Sequence, residues 1–370
     1  MRIGIDARLW SQTGVGRYIR NLTLNLQKID TKNNYVLFVS SKDYEDVKVH
    51  IKNDKWQIVR ADVKWHTISE QIRFSSVLKR ENLDLVHFPY FSVPVLYNRP
   101  FVVTIHDLIV HHFPTGKAST LPLPLYEAKL LAYRFIIKKA ARKAKKIITV
   151  SNATKDEVID HLGVRSDKVI AIHNGLDENL SVNIKKEKLI KDPYFLYVGN
   201  AYPHKNLERL LLAFSLFSQN NKNTKLVLVG KEDYFYKRLK EKIKNLMLEN
   251  SVIFYQGAKD QELVNLYRNA IALVTPSLME GFGLPLLEAM ANGCPVLASD
   301  IPSFKEIGKD AVMYFNPKSV EDIKRNLETS VKDSIFRKKL IEKGLEQVKN
   351  FSWEKAAKET LKVYESCVSL

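Results

Sequence analysis

The sequence predicts an α/β protein of two doubly wound domains, each a parallel sheet with helices on both faces. Its 370 residues are too many for one ordinary core and fit two. Short apolar runs alternate with stretches of helical pattern, which is typical of a parallel sheet. The alternation stops in a polar, lysine-rich stretch from Asp177 to Asp192 and starts again at Tyr194. We therefore expect a first domain at 1–177, a second at 178–352 and a linker near residue 180.

The elements follow from local pattern, taken in chain order. Short apolar runs predict strands, and apolar residues three or four positions apart predict helices between them. In the first domain the strands are Met1–Asp6, Tyr35–Ser40, Leu83–Phe88, Phe101–Ile105 and Ile147–Val150, with helices at Gly16–Leu26 and Glu70–Arg80. In the second domain they are Tyr194–Val198, Lys225–Val229, Val252–Tyr255, Ala272–Val274 and Pro295–Ala298. The chain ends in an amphipathic helix whose apolar face is Trp353, Ala356, Ala357, Leu361 and Tyr364.

The composition restricts the classes of protein and partner. With 58 basic and 41 acidic residues the net charge is +17, which favours nucleic acid, an anionic membrane or a phosphorylated substrate. No run approaches the roughly 20 apolar residues of a membrane-spanning helix, and the N-terminus lacks the apolar core of a secretion signal. Cys294 and Cys367 are too few for a disulfide framework or a zinc site. We expect a cytoplasmic protein.

The strongest chemical signal is the stretch from Pro276 to Asp300. Pro285 suits the first turn of a helix and Gly293 suits the position just past its end. The preceding turn, Gly281, Phe282, Gly283 and Leu284, then offers backbone N–H groups to a phosphate or a sugar at the positive end of the helix dipole. Glu280 lies before this turn and Glu288 within the helix. Two carboxylates at different positions along the helix axis can bind two groups of hydroxyls on one long ligand.

Glu280 and Glu288, with the GFGLP core between them, resemble the donor-sugar motif of family-4 retaining glycosyltransferases. The other motifs follow in the family's order: IGIDAR and TGVGRY near the N-terminus, VVTIHDL (Val102–Leu108), HNGLD (His173–Asp177), YVGNAYPHKN (Tyr197–Asn206) and FSWEKAA (Phe351–Ala357). The resemblance covers nearly the whole chain. It implies the GT-B fold, with two facing Rossmann-like domains, an interdomain cleft, and a final helix, residues 353–370, that crosses back to the first domain.

The resemblance also implies roles for individual residues. Glu280 would bind hydroxyls of the transferred sugar, Glu288 would bind the ribose, and the amides of Gly281, Phe282, Gly283 and Leu284 would contact sugar and phosphate. Lys205 would neutralise the departing diphosphate. Gly14 and Gly16 would let a loop close over the diphosphate and acceptor. His106 would lie near the anomeric carbon, which makes His106, Lys205 and Glu280 the candidate catalytic residues.

One position departs from the family. Many relatives carry arginine directly after the glycine of the VG pair, and this chain has Asn200 there. Either Lys205 and a helix N-terminus suffice to bind the phosphates, or another cation such as Arg17 or Arg209 compensates.

The function implied is retaining transfer of a hexose from a nucleotide diphosphate sugar to a glycan or lipid-linked acceptor. The TIHDL and PHKN variants favour mannose from GDP-mannose, and UDP-sugars remain open. The sequence contains no Asp-x-Asp, and His87, His111, His112 and His173 show no ligand spacing with one another. We therefore expect a front-face reaction with neither metal nor cofactor. A nucleotide-sugar isomerase on the same fold is the alternative, and a catalytically inactive sugar-binding module is disfavoured because the candidate residues are all present.

The excess positive charge is concentrated between Tyr133 and Lys146. This segment has seven basic and no acidic residues, and an apolar stripe of Phe135, Ile136, Ile137, Ala140 and Ala144. Such a helix attaches peripheral enzymes to anionic lipid, and the contacts expected here are Arg134, Lys138, Lys139, Arg142 and Lys143. The alternative is a solvated helix face packed on the N-terminal sheet. No nucleic-acid motif accompanies the charge. We expect attachment at the inner face of the cell membrane.

Overall fold

The computed structural model describes residues 1–114, 122–180 and 187–368. The chain forms two compact units, the first containing Met1–Gly175 and Ser352–Leu370 and the second containing Leu176–Phe351. The predicted linker, Asp177 to Asp192, lies partly outside the described residues, which omit 181–186. Within the described ranges, no helix is both long and apolar enough to cross a bilayer.

The first unit is built on a seven-stranded parallel sheet in the order β3-β2-β1-β4-β5-β6-β7. Its strands are β1 (Arg2–Asp6), β2 (Asn34–Val39), β3 (Trp56–Arg60), β4 (Leu85–Phe88), β5 (Phe101–Ile105), β6 (Lys146–Thr149) and β7 (Val169–Ala171). Alternate residues of β2 enter different cores, with Tyr35 and Leu37 on one face and Val36 and Phe38 on the other. The central strands are continuous apolar runs because both of their faces are covered.

Most described helices of the first unit lie between these strands in the chain. They are α1 (Gly14–Ile29), α2 (Tyr44–His50), α3 (Ser75–Arg80), α4 (Ile109–His112), α5 (Leu123–Lys143) and α6 (Asn152–Leu162), and a π-helical turn at Glu70–Phe74 leads into α3. The side chain of Ser151 caps α6 by accepting from Thr154 N at 3.0 Å. The predicted helices at Gly16–Leu26 and Glu70–Arg80 are therefore both present.

Helix α5 differs from the predicted basic segment in its bounds and in its buried face. It begins ten residues earlier, and Lys146 is the first residue of β6 rather than part of the helix. Ile137, Ala140 and Ala144 pack into the core, whereas Phe135 is 60% exposed. The predicted apolar stripe is thus divided, because Phe135 lies on the opposite side of the helix from Ile137.

The second unit has a six-stranded parallel sheet in the order β10-β9-β8-β11-β12-β13. Its strands are β8 (Tyr194–Val198), β9 (Lys225–Val229), β10 (Val252–Tyr255), β11 (Ala272–Thr275), β12 (Val296–Ser299) and β13 (Val312–Phe315). Its helices are α7 (Leu207–Ser218), α8 (Tyr234–Asn245), α9 (Asp260–Asn269), α10 (Leu284–Ala291), α11 (Pro302–Gly308), α12 (Val320–Lys332) and α13 (Ser334–Gln347). The order is that of a Rossmann sheet, with a topological switch point between β8 and β11.

Three strands were not predicted, namely β3, β7 and β13. Each lies at the edge of its sheet. Their burial is incomplete, and β7 is only three residues long. The fourth edge strand, β10, was predicted from its run Val252–Tyr255.

The last helix, α14 (Trp353–Val368), belongs to the first unit although it follows the second in the chain. Trp353, Ala357 and Tyr364 join the core that includes α1 and one face of the sheet. The Tyr364 hydroxyl lies 2.6 Å from His87 Nδ1, and His87 Nε2 lies 2.8 Å from Thr104 Oγ1. Burial lowers the pKa of His87 to about 3, so this buried histidine is a neutral structural residue.

Candidate functional site

The candidate site of the second unit lies at the switch point of its sheet. The loops that follow adjacent strands β8 and β11 diverge there, which opens a crevice at the carboxyl ends of the strands. The loop after β8 carries Asn200 and Lys205, and the loop after β11 carries Glu280. Fold topology therefore brings together residues that are 75 positions apart in the chain.

Lys205 and Glu280 form an ion pair in this crevice. Lys205 Nζ lies 2.6 Å from Glu280 Oε1, and the Ser277 hydroxyl donates to the same oxygen at 2.6 Å. The Lys205 side chain is 19% exposed and that of Glu280 is 14% exposed, so both remain within reach of a ligand. Burial alone would raise the pKa of Glu280, but Lys205, His204 and Ser277 outweigh it and hold that pKa below its ordinary value. The site thus presents an ionised carboxylate next to an ammonium group.

The loop that carries Lys205 is held by its next residue. Asn206 has a φ of 59° and donates from Nδ2 to the carbonyls of Pro276 and Pro317, at 2.9 and 2.8 Å. Arg209 donates to Asn206 Oδ1 at 2.8 Å and to the Pro317 carbonyl. Asn206 therefore fixes the Lys205 loop to the loop after β11, and Arg209 supports it. Sequence reasoning missed this role, although Asn206 is the last residue of the PHKN string.

Gly283 shapes the turn between Glu280 and α10. Its φ is 110°, and a Cβ there would come within 2.8 Å of the Phe304 ring, so a side chain would be strained as well as crowded. Phe282 is buried and packs edge-on against Phe351 at 6.0 Å between centroids. The turn from Gly281 to Leu284 therefore presents backbone groups, rather than side chains, at the start of α10.

Glu288 lies in the second turn of α10 and is buried. The Tyr267 hydroxyl, on α9, donates to Glu288 Oε2 at 2.9 Å. This bond orients the carboxylate, and sequence reasoning did not identify Tyr267 because it lies on a different helix.

Asn200, the residue in place of the family's arginine, follows Gly199 directly. Its backbone carbonyl accepts from the Tyr197 hydroxyl at 2.6 Å, and the Gly199 carbonyl accepts from Tyr236 at 2.7 Å. Two tyrosines thus fix the backbone of this loop. Arg209, one of the two cations considered as a substitute, supports the Lys205 loop.

The candidate residues of the first unit lie at the carboxyl edge of its sheet. His106 follows β5 and donates from Nε2 to the Pro89 carbonyl at 2.8 Å, with its ring edge-on to Tyr18 at 4.9 Å. Burial lowers the pKa of His106 to about 4. The ring is therefore neutral near pH 7, and its proton on Nε2 leaves Nδ1 as an acceptor.

Gly14 and Gly16 lie in the first turn of α1. A Cβ on Gly16 would come within 2.5 Å of the Trp10 carbonyl oxygen, whereas a Cβ on Gly14 would meet nothing within 4 Å. Gly16 is therefore required for packing of α1 against the preceding loop. Gly14 is surrounded by open space, which is compatible with a ligand approaching the helix start.

A buried charge cluster beside this edge was missed by sequence reasoning. The Arg8 guanidinium lies 2.7 Å from Asp6 Oδ2 and 2.7 Å from Glu70 Oε1, above the ring of Phe74. Ser92 donates to the other Glu70 oxygen at 2.7 Å. The cluster joins the loop after β1 to the π-helical turn at Glu70–Phe74 and to the loop after β4. The signal available was an acid and a base two positions apart where β1 ends, Asp6 and Arg8 in IDAR.

Similar sequences are known over most of the chain. Residues 181–347 match the family described as "Glycosyl transferases group 1", and residues 12–180 match "Glycosyltransferase Family 4". The O-antigen chain mannosyltransferase RfbU of Salmonella typhimurium is 31% identical over 276 residues, 74% of this chain and 72% of that protein. The O-antigen chain mannosyltransferase B of Escherichia coli is 29% identical over 295 residues, 76% of this chain and 74% of that protein.

Among solved structures, Anabaena HepE in complex with UDP and glucose has a TM-score of 0.76 to this chain at 17% identity, covering 99% of this chain and 100% of that one. At that identity the likeness concerns the fold alone. It confirms the predicted GT-B class, with two Rossmann-like domains.

Proposed function

The chain belongs to the group 1 and family 4 glycosyltransferases, and from that premise we propose that it is a retaining hexosyltransferase. The donor is a nucleotide diphosphate sugar, with GDP-mannose first because the similar bacterial proteins are named O-antigen mannosyltransferases. The acceptor is a glycan or a lipid-linked chain of a surface polysaccharide such as lipopolysaccharide. A UDP-hexose is the alternative donor.

The observation that carries this proposal is the Lys205–Glu280 ion pair at the switch point of the second sheet. A diphosphate brings negative charge to Lys205, which releases Glu280 to accept hydrogen bonds from sugar hydroxyls. The backbone of Gly281 to Leu284 adds N–H donors at the start of α10. Glu288, oriented by Tyr267, accepts from the ribose hydroxyls.

In the transfer step, the bond from the anomeric carbon to the diphosphate oxygen breaks on the face where the acceptor oxygen bonds. The acceptor proton passes to the leaving phosphate oxygen, and Lys205 stabilises the negative charge that develops there. In the first unit, neutral His106 offers Nδ1 as a hydrogen-bond acceptor, and Gly14 leaves room at the start of α1. Without an Asp-x-Asp in the sequence, we expect Lys205 and the N-terminus of α10 to bind the diphosphate without a divalent metal.

The experiment is a panel of sugar nucleotides, tested first for binding and then for transfer to a glycan acceptor. We expect transfer from GDP-mannose with an α-linked product, and activity that persists in EDTA. Glu280→Gln should abolish transfer, whereas Glu346→Gln, at an exposed ion pair with Lys349, should leave it unchanged. Conversion of the sugar nucleotide to an isomeric product without any acceptor would favour the isomerase, and a transfer product of inverted configuration would contradict the retaining mechanism.

The same proposal includes attachment of α5 to the surface of an anionic membrane. Leu125, Leu131 and Phe135 of α5 are all more than half exposed, and Arg134, Lys138, Lys139, Arg142 and Lys143 share this helix. Exposed apolar and basic side chains on one helix suit the surface of an anionic bilayer. This exposed face differs from the predicted stripe, since Ile137, Ala140 and Ala144 are in the core.

Liposome co-sedimentation tests the attachment with a matched control. Lys138, Lys139, Arg142 and Lys143 on α5 are changed together to Glu, and so are Lys237, Arg238, Lys242 and Lys244 on α8. Each set has three lysines and one arginine, three of them exposed and one half-buried. We expect only the α5 variant to lose binding to anionic vesicles, and salt to weaken wild-type binding. Equal behaviour of the two variants would mean that α5 is merely a solvated face.

A further inference from the structure

A cluster of metal-ligating side chains lies on the surface of the first unit, apart from the residues assigned to the reaction. His112, at the end of α4, lies beside Glu157 and His161 of α6. One ligand atom from each of the three lies within 4.8 Å of the others. Glu157 Oε2 is 2.5 Å from His112 Nε2 and 3.3 Å from His161 Nε2. Two imidazole nitrogens and a carboxylate oxygen thus converge on one place.

We propose that this cluster is a site for a transition-metal ion of the zinc type. Two imidazoles and one carboxylate form a common zinc ligand set, with a fourth position for water. Both histidine nitrogens face the same Glu157 oxygen, so a single cation can take the place of the two N–H protons that otherwise bridge them. Imidazole ligands also favour zinc, nickel, cobalt and copper over magnesium and calcium, which prefer sites made of oxygen atoms.

The local structure holds the ligands close together without a metal. Glu157 and His161 are four residues apart, so they lie on one face of α6. His112 is held by its neighbour, because His111 Nδ1 lies 2.9 Å from the Tyr133 hydroxyl of α5. Adjacent histidines therefore join α4 to two different helices.

The position of the cluster indicates a structural consequence. Helix α4 follows His106 after only two residues, and Thr154 of α6 donates to the His106 carbonyl at 3.4 Å. A metal bound at this His–Glu–His cluster would fasten the segment after β5 to α6. We expect it to stabilise the first unit rather than to take part in the transfer reaction, and the inference does not depend on which donor or acceptor is used.

The test is zinc binding by the full chain, purified without a histidine tag and freed of metal with EDTA. Calorimetric titration should give one strong site per chain, and Co²⁺ should produce the visible absorption of a tetrahedral complex. Saturating zinc, at about a hundredfold above Kd, should raise Tm by roughly 5–10 °C. Absence of a stoichiometric site would overturn the proposal.

Variants decide whether the site is this cluster. His112→Ala and His161→Ala should each weaken zinc binding at least about tenfold, since even changes beyond the direct ligands have effects of that size. The three side chains are 33–43% exposed, so we expect the variants to fold. Unchanged far-UV circular dichroism and an unchanged Tm in EDTA would show that they do. His50→Ala is the matched control, because His50 pairs with Asp46 at the same i,i+4 spacing, 3.6 Å apart. Equal loss in all three variants, or no loss in the first two, would contradict the assignment.

Discussion

Removal of Lys205 should destabilise the second unit by more than the removal of an exposed lysine does. In Lys205→Met, the Glu280 carboxylate loses the ammonium group that lies 2.6 Å from Oε1 and keeps the hydrogen bond from the Ser277 hydroxyl. Breaking a fully buried ion pair costs about 3–5 kcal/mol. Since these side chains are 19% and 14% exposed, we expect roughly 2–3 kcal/mol.

The companion variant Glu280→Gln should cost less, because Lys205 can extend its ammonium group into water. The loss in free energy of unfolding in the double variant should then be smaller than the sum of the two single losses, by about 1 kcal/mol or more. Hydrogen exchange in urea, followed on peptides that cover β8 and β11, measures the second unit separately from the first. Lys358→Met, at an exposed pair with Glu354 on α14, serves as the control and should change nothing measurable.

Additive effects in this cycle would refute the reasoning. So would a loss in Lys205→Met no larger than that of the control. Either result would mean that solvent screens the pair as it screens exposed pairs. The proposed exchange, in which Lys205 leaves Glu280 to bind a diphosphate, would then have no stable ion pair from which to begin.

Three further predictions concern the nucleotide, acid stability and the C-terminal helix. Glu288→Ala should weaken the binding of free nucleoside diphosphate by about 1–3 kcal/mol, while Glu280→Ala leaves it nearly unchanged; calorimetry that finds equal losses would contradict the separate roles. The pKa of His87 is about 3 in the folded state and about 6.5 when unfolded. Between these pH values the folded state therefore binds fewer protons than the unfolded state. The free energy of unfolding keeps its full value above pH 6.5 and decreases as the pH falls towards 3. His87→Gln should flatten the dependence of Tm on pH in that window, and unchanged slopes would refute it. A stop codon after Phe351 should reduce hydrogen-exchange protection in residues 1–175, and full protection there would show that α14 is dispensable.

The central strands could be predicted from sequence because their apolar runs are local. Strands β1, β2, β8 and β9 are buried on both faces and show this directly in their residues. The face that a helix buries is harder to predict. The helix α5 has apolar residues around much of its circumference, and only packing shows that Ile137 is in the core while Phe135 is exposed.

The contacts within the candidate site could not be predicted, because they join distant parts of the chain. Glu280 could be proposed from its own motif, yet its partner Lys205 is 75 residues away and meets it through the order of the strands. Likewise, Glu157 and His161 show a ligand spacing on one helix, but the third ligand, His112, lies 45 residues before Glu157. Positive φ at Asn206 and the bond from Tyr267 to Glu288 depend on tertiary structure in the same way.

The return of α14 to the first unit has a consequence for biosynthesis. A ribosome makes a chain from its N-terminal side, so the second unit is complete once Phe351 has left the exit tunnel. The first unit then still lacks Trp353 and Tyr364, and the surface of its sheet that they cover stays in contact with water. Gly175 likewise lacks its packing partner at this stage, since a Cβ there would come within 2.1 Å of Trp353 N in the folded protein. The unit whose strands are translated first is therefore the unit that finishes folding last. A nascent chain stalled between Phe351 and Tyr364 would hold one finished domain and one unfinished one.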